Sequence, residues 1–361
     1  MGSYGGSMCS DMTPPLRHKP NFVSDSSQGN AREVTAYLPT DVANASQTHM
    51  GLKHATKGKR GPTAIKDKNN LGPRSLAPTT INLTVLDHLL ELYPDREVAE
   101  QLYTGFHFGF KSGYQGPQSP YQCKNLQSAL QHPHIVTQKL REEISAGRVA
   151  GPFDQPPFDN FRCSPLGLVD KKADLTCSQQ HITTENSRLI FHLSYPPNDS
   201  VNSHIPQEDK TVQYTPFDTV VQYIAHLHNL DTVMHAAKSD ILNAFRLVRL
   251  HPSDFQNMGM CHLGKYYYDK CMPFGLSSAP SIFEKIATFL QWCVQHKAGL
   301  PGTFHLLDDF IFIGKNGEDT QILFQTFKAL CSGLNIPLKA SKTISPTPDT
   351  IQYLGIDISL K

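Results

Sequence analysis

No run of roughly 18 or more apolar residues occurs in this sequence, so no part of it is expected to cross a bilayer as a helix. An apolar signal-peptide core is missing from the N-terminus. Gly6 stands where the myristoylation pattern needs Ser or Thr. Paired cysteines are missing too: the eight cysteines form no C-x-x-C, which speaks against a zinc site and for reduced, mostly buried thiols. An excess of one charge is absent, with 33 Lys and Arg against 32 Asp and Glu. That excludes a uniformly basic nucleic-acid binder and leaves a local basic groove open. The sequence also lacks a phosphate-binding glycine loop, a G-x-S-x-G nucleophile elbow and an H-E-x-x-H zinc helix. The expectation is a soluble intracellular protein of the cytoplasm or nucleus, neither secreted nor membrane-bound. Its 361 residues suffice for a sizeable core and suggest about two domains.

The first 80 residues hold ten Leu, Ile, Val and Phe, a fraction below the roughly 20% with which a chain builds a core. Within them, Lys53, Lys57, Lys59, Arg60, Lys66, Lys68 and Arg74 surround a single acid, Asp67. Such a stretch reads as a solvated, disordered leader or as an arm that touches nucleic acid. Periodic structure begins near Thr84, which can cap a helix through Leu92, stopped by Pro94. Asp95 can cap a second helix that ends at Gly105. A third is predicted from Pro133 to Ala146, with Ile135, Val136, Leu140 and Ile144 on one face. Strands are predicted at Leu166–Lys171, Arg188–Leu193, Thr232–Asp240, Arg246–Leu250, Met258–His262, Lys265–Lys270 and Thr350–Ile358. Further helices are predicted at Pro216–Leu227, Ala279–Val294 and Asp319–Cys331. Strands and helices interleave without regular βαβ alternation, which favours an α+β layout.

The chemistry concentrates in His305-Leu306-Leu307-Asp308-Asp309-Phe310-Ile311-Phe312-Ile313. Apolar runs flank two adjacent carboxylates, the pattern of a hairpin with acids at its tip. Alone it is better explained by an ordinary turn, since Asp is a common turn former. A further acid, Asp240, ends another apolar segment, and strands ending side by side would gather Asp240 with Asp308. Carboxylates so close repel and raise one another's pKa unless cations neutralise them. Hard divalent ions such as Mg²⁺ suit oxygen ligands, and two of them would serve an in-line phosphoryl transfer. Between the acids lies Met272-Pro273-Phe274-Gly275-Leu276-Ser277-Ser278-Ala279-Pro280, where Gly275 allows close backbone approach.

Taken in order, Lys238–Arg246, the Pro-Phe-Gly loop, Leu-Asp-Asp and Tyr353-Leu354-Gly355-Ile356 resemble the reverse transcriptases of retroelements. Upstream, Gly147–Phe153, Ser164–Gly167 and Leu193–Pro196 look most like DIRS-type retrotransposons, which pair a reverse transcriptase with a tyrosine recombinase. The resemblance covers roughly residues 85–361. It implies a right-hand polymerase of α+β class with fingers and palm over 151–361. The basic disordered leader over 1–82 is read from composition and is not explained by the resemblance, and a helical extension over 83–150 lies between. The resemblance implies RNA-directed DNA synthesis on a primer 3′-OH, with an RNA or DNA template and deoxynucleoside triphosphates as partners. The metal-binding and catalytic triad falls on Asp240, Asp308 and Asp309, holding two Mg²⁺ or, in their place, Mn²⁺. Phe245 matches the ring that blocks a ribose 2′-OH. Lys171 or Lys172 and Arg188 match the basic residues on the triphosphate, an arginine fork bonding phosphate oxygens in pairs. Phe274 and Gly275 match the template and nucleotide contact, and Lys342 a lysine near the leaving pyrophosphate. Tyr353, Leu354 and Gly355 match the primer grip.

The sequence departs from the family pattern in places. Leu306 stands where relatives usually carry Tyr, so a contact through that hydroxyl is lost. The stretch 173–187 is longer than the usual fingertip turn. The sequence stops at Lys361, just past the primer grip, so thumb, ribonuclease H and recombinase segments are expected to be missing and primer–template to be held weakly. Two other readings stay open: a truncated or decayed fragment that binds nucleic acid without turnover, and a metal-dependent nuclease using the same acids. Against the nuclease stand Phe245 and the Pro-Phe-Gly loop, since cleavage needs no sugar gate.

Overall fold

The apolar run Phe310–Ile313 alternates its side chains between two cores, as successive residues of a strand must. In the computed structural model, which describes residues 74–170 and 183–361, Phe310 and Phe312 pack against Phe327 with ring centroids 4.6 and 5.1 Å away. Ile311 and Ile313 face a second cluster with Val220, Phe304, Ile351 and Tyr353. Both faces of the strand are covered, which is why it reads as continuously apolar.

The elements, in chain order, begin with α1 (Leu83–Leu92), α2 (Arg96–Phe108), β1 (Tyr121–Gln122), α3 (Gln127–Gln131) and α4 (Pro133–Ser145). Next come β2 (Val149–Phe153), β3 (Arg162–Cys163), β4 (Leu166–Asp170), β5 (Ser187–Phe191), α5 (Gln207–Lys210) and α6 (Phe217–His228). They are followed by β6 (His235–Asp240), β7 (Gly259–His262), β8 (Lys265–Asp269), α7 (Ala279–Ala298), β9 (Thr303–Leu306) and β10 (Asp309–Gly314). The last are α8 (Gly317–Gly333), β11 (Ile344–Thr347), β12 (Ile351–Tyr353) and β13 (Ile356–Ile358). An antiparallel sheet runs β11-β6-β10-β9, and a mixed one β1-β3-β7-β8-β2. Two hairpins, β4–β5 and β12–β13, stand apart. The class is α+β.

Several expectations need correction. Asn82, not Thr84, caps α1, its Oδ1 accepting from the Val85 N–H at 3.3 Å. Asp95 does cap α2, accepting from Val98 N–H at 3.0 Å. Gly105 does not end that helix, which continues to Phe108 with Gly109 beyond it at φ +94°. A Cβ on Gly105 would lie 2.2 Å from the Phe110 ring, so the glycine is there for packing. Arg246–Leu250 is not a strand: a 3-10 turn takes Ala244–Leu247, and single bridges follow at Arg249 and Leu250. Thr350–Ile358 is two strands, turned at Leu354 and Gly355 with φ +51° and +80°. Ala77 and Ile81, inside the stretch read as leader to residue 82, are buried, and the Ala77 carbonyl accepts from Arg249. The basic run Lys53–Lys68 lies outside the described residues. Arg74 is described: its guanidinium lies 5.0 Å over the Phe158 ring and Nη1 donates to the Pro252 carbonyl at 3.4 Å. No helix among the described residues is long and apolar enough to cross a membrane.

Candidate active site

Two strands of the central sheet carry the acids. In β6 and β10, antiparallel neighbours, Asp240 and Asp309 are register partners. β9 and β10 form a hairpin with Leu306 opposite Asp309, and Leu307 and Asp308 make its turn. Leu307 sits at φ +53°, a conformation costly for a branched side chain and found where surrounding contacts over-determine it. Those contacts include the Ile241 N–H, which donates to the Asp308 carbonyl at 3.0 Å. The hairpin anticipated from sequence is present, and it brings all three acids to the same end of the sheet.

Their electrostatics follow from crowding. Burial raises the Asp309 carboxyl to about 6, against the pull of Lys342, and a hydrogen bond shared with Asp240 and the charges of Asp240 and Asp308 push the same way. Burial, then the charge of Asp240, holds Asp308 above the ordinary carboxylate range. Asp240 itself is only 4% exposed, and the Lys342 ammonium donates to its Oδ2 at 2.6 Å. The bond to Asp240 in turn raises the Lys342 pKa, and the charges of Lys342 and Lys339 both pull against the rise at Asp308. A set of carboxylates with too little positive charge suits a hard divalent cation in donor type. Among the described residues, no three His, Cys, Asp or Glu side chains are arranged ready to hold a metal ion.

Beside the acids runs the segment from Asn243, at φ +60°, into the 3-10 turn bearing Phe245. The Phe245 ring meets Phe283 and Phe274 edge to face, at 5.6 and 5.7 Å. Phe274 is 39% exposed, with the Arg188 guanidinium 5.7 Å from its ring centroid. Arg188, Asn243, Pro273 and Phe274 line a cavity of about 250 Å³, whose floor holds Glu143, Arg246 and Asp269. Gly275, at φ +106°, passes so close to β5 that a Cβ would come 2.7 Å from the Phe191 carbonyl oxygen. Lys171 and Lys172 lie outside the described residues. Tyr353 is buried and donates to the Asp309 carbonyl at 3.3 Å, while Leu354 and Gly355 form the exposed hairpin tip.

Sequence reasoning missed the charged floor of the cavity. Arg246 donates to Asp269 at 2.8 Å and to Glu143 at 2.7 Å, and Arg148 bonds both oxygens of Glu143 at 2.7 and 2.9 Å. Burial alone would raise Glu143, but the hydrogen bonds and charges of Arg148 and Arg246 hold it down at about 2. Arg246 directly follows Phe245 and faces inward from a turn, whereas strand alternation had assigned it no partner. Behind the acid hairpin, His305 bridges Gln291 at 2.6 Å and Glu284 at 3.2 Å, tying β9 to α7.

The family model described as "Reverse transcriptase (RNA-dependent DNA polymerase)" matches residues 186–358. The genome polyproteins of Petunia vein clearing virus, isolates Shepherd and Hohn, are each 27% identical over 312 residues, covering 83% of this chain. The chain spans only 13% of the length of those polyproteins. Among solved structures, the foamy viral protease-reverse transcriptase dRH in complex with double-stranded DNA has a similar fold, with a TM-score of 0.51 at 14% identity. That likeness covers 84% of this chain and 48% of the other.

Proposed function

We propose that this chain, whose residues 186–358 form a reverse transcriptase domain, adds deoxynucleotides to a primer 3′-OH on an RNA or DNA template. The opposition of Asp240 and Asp309, with Asp308 at the adjoining turn, carries this reading. Reverse transcriptases generally use divalent metal ions, and Asp240, Asp308 and Asp309 would hold Mg²⁺ here. When bound, Mg²⁺ supplies positive charge to the attacking and leaving oxygens of the transfer.

The chain's own residues do the rest. Phe274 and Gly275 form one wall for the incoming nucleotide, and Arg188 offers its fork to the triphosphate together with Lys171 or Lys172. Phe245 stands under the sugar. Lys342, bonded to Asp240 beside the other acids, would serve the leaving pyrophosphate as its cation or proton donor. Tyr353, Leu354 and Gly355 hold the primer terminus through the β12–β13 hairpin. Because catalysis of this kind needs positioning and charge neutralisation, the absence of a nucleophile motif among these residues is expected.

The organisation accompanying this reading is a leader that ends before the buried Ala77, a helical extension up to residue 150, and fingers and palm over 151–361. The narrower assignment to a DIRS-type retrotransposon rests on Gly147–Phe153, Ser164–Gly167 and Leu193–Pro196. A tyrosine-recombinase reading frame at the genomic locus would support it, and a different neighbouring enzyme would overturn it. The test of the activity is primer extension with deoxynucleotides and Mg²⁺ on RNA and DNA templates. Template-dependent extension that disappears in Asp309→Asn is expected. Cleavage of the template without extension would turn the reading toward a nuclease.

A further inference from the structure

Asn202 opens a short 3-10 turn (Asn202–His204) more than seventy residues before the Pro-Phe-Gly loop, yet its side chain is bound to that loop. Nδ2 donates to the Gly275 carbonyl at 2.8 Å and to Ser194 Oγ at 2.9 Å. Oδ1 accepts from the Ser277 N–H at 2.9 Å. The Asn202 backbone is itself anchored: its N–H donates to the Leu193 carbonyl at 3.0 Å, and its carbonyl accepts from Lys210 at 2.8 Å. One amide therefore reads the loop as donor and acceptor at once, to residues two apart. Such a contact demands both halves of a carboxamide.

The clamp works with a second constraint. At Gly275 the loop lies against the Phe191 carbonyl, with no room for a Cβ. Backbone contact on one side and Asn202 on the other fix the loop between them. What the loop presents from this position is Phe274, whose ring meets Phe245 and Arg188. We propose that Asn202 is a positioning residue that holds Pro273–Ser277 in the conformation that receives the incoming nucleotide. The inference rests on the polymerase reading above and extends it to a residue with no direct contact to the reacting atoms.

Asp is isosteric with Asn but brings an oxygen where the Gly275 carbonyl needs a donor, so it replaces attraction by repulsion. Ala removes the clamp and admits water, because the site is only partly buried. The order of damage should therefore be Asp worse than Ala, opposite to the order expected if the side chain only filled space.

The experiment compares wild type, Asn202→Ala and Asn202→Asp by single-nucleotide incorporation and by hydrogen–deuterium exchange of residues 273–277. Expected are a rise of about tenfold or more in KM for the deoxynucleotide and a change in kcat of less than about threefold. The Ser277 amide should exchange about tenfold faster, with Tm moved by less than about 3 °C. Unchanged exchange in both variants would overturn the clamp. Faster exchange with an unchanged KM would overturn the role in nucleotide binding, as would a fall in kcat alone. If wild type itself fails to extend any primer, the polymerase reading falls and the nucleotide role with it, while the exchange data still decide whether Asn202 holds the loop.

Discussion

Asp240 and Asp309 oppose each other in register across β6 and β10, and among the described residues the only cation bonded to either is Lys342 on Asp240. Side chains directly opposite on antiparallel strands are close enough for like charges to destabilise the pair. Folding nevertheless holds them together with Asp308 at the adjoining turn, at a cost in stability that Lys342 offsets only in part. An arrangement that works against stability in the free protein is the mark of a site organised for what it binds.

The first prediction follows from that cost. Asp308→Asn removes a carboxylate whose pKa burial and Asp240 hold up, so in the absence of divalent ions the variant should be as stable as wild type or more so. Thermal unfolding in a chelating buffer checks this. Primer extension should fall by at least about a hundredfold, roughly 2.7 kcal/mol in the barrier. A folded variant extending at the wild-type rate would remove Asp308 from the site.

Much of the fold was legible where one-dimensional periodicity maps onto one face. The helix at Pro133–Ser145 shows its buried Ile135, Val136 and Leu140 at helical spacing. The acid hairpin was legible because apolar strands bracket a polar tip. What failed was decided by partners distant in sequence. Gly105 looked like a helix stop, but its meaning is the Phe110 ring lying against it. Arg246–Leu250 alternates like a strand, yet Arg246 turns inward to Asp269 and Glu143, and Arg249 to the Phe106 carbonyl. Leu354 concealed a turn because branched residues rarely take positive φ. Asn202 carried no signal, since its bonds reach residues 275 and 277.

A pH prediction comes from the cavity floor. Glu143 is held at about 2 in the folded protein, below its ordinary 4.5. Between those values the unfolded chain binds the extra proton, so stability rises with pH through this window. The contribution is complete above about pH 4.5 and lost as pH falls toward 2. Such a depression corresponds to about 3 kcal/mol at most. Glu143→Gln should thus lower Tm at neutral pH, and its difference from wild type should shrink steadily on acidification below pH 4.5. A difference independent of pH would show that the Arg148 and Arg246 contacts contribute nothing through charge.

Two glycines with positive φ separate strain from crowding. Gly355, at φ +80°, has no neighbouring atom within 4 Å of an added Cβ, whereas Gly275, at φ +106°, has the Phe191 carbonyl at 2.7 Å. Gly355→Ala should cost about 1 kcal/mol, the conformational penalty alone. Gly275→Ala adds displacement of the loop and should cost roughly 2–3 kcal/mol. Parallel denaturant titrations give both values, and equal losses would mean that the loop moves away from β5 freely.

The last prediction concerns sugar selection by Phe245. Its ring links buried Phe283 to exposed Phe274, so it belongs to the core on one edge and meets the Pro-Phe-Gly loop on the other. Truncation should have two separable effects. Losing the Phe283 contact lowers stability by about 1–2 kcal/mol, without preference for either sugar. Losing the edge toward Phe274 should open room for a 2′-hydroxyl, the feature that distinguishes ribose from deoxyribose. Rejection by steric clash can exceed the roughly 1–3 kcal/mol that a missing methylene-sized contact supplies. Phe245→Ala should therefore raise ribonucleotide incorporation relative to deoxynucleotide incorporation by at least about tenfold, or 1.4 kcal/mol. Phe245→Leu, which keeps bulk in the core, should be more stable than the alanine variant and fall between it and wild type in discrimination. Single-nucleotide kinetics with each sugar, alongside Tm for each variant, separate the two effects. If discrimination stays constant while stability falls, the ring acts only in the core. Free use of ribonucleotides by wild type would instead point to RNA synthesis.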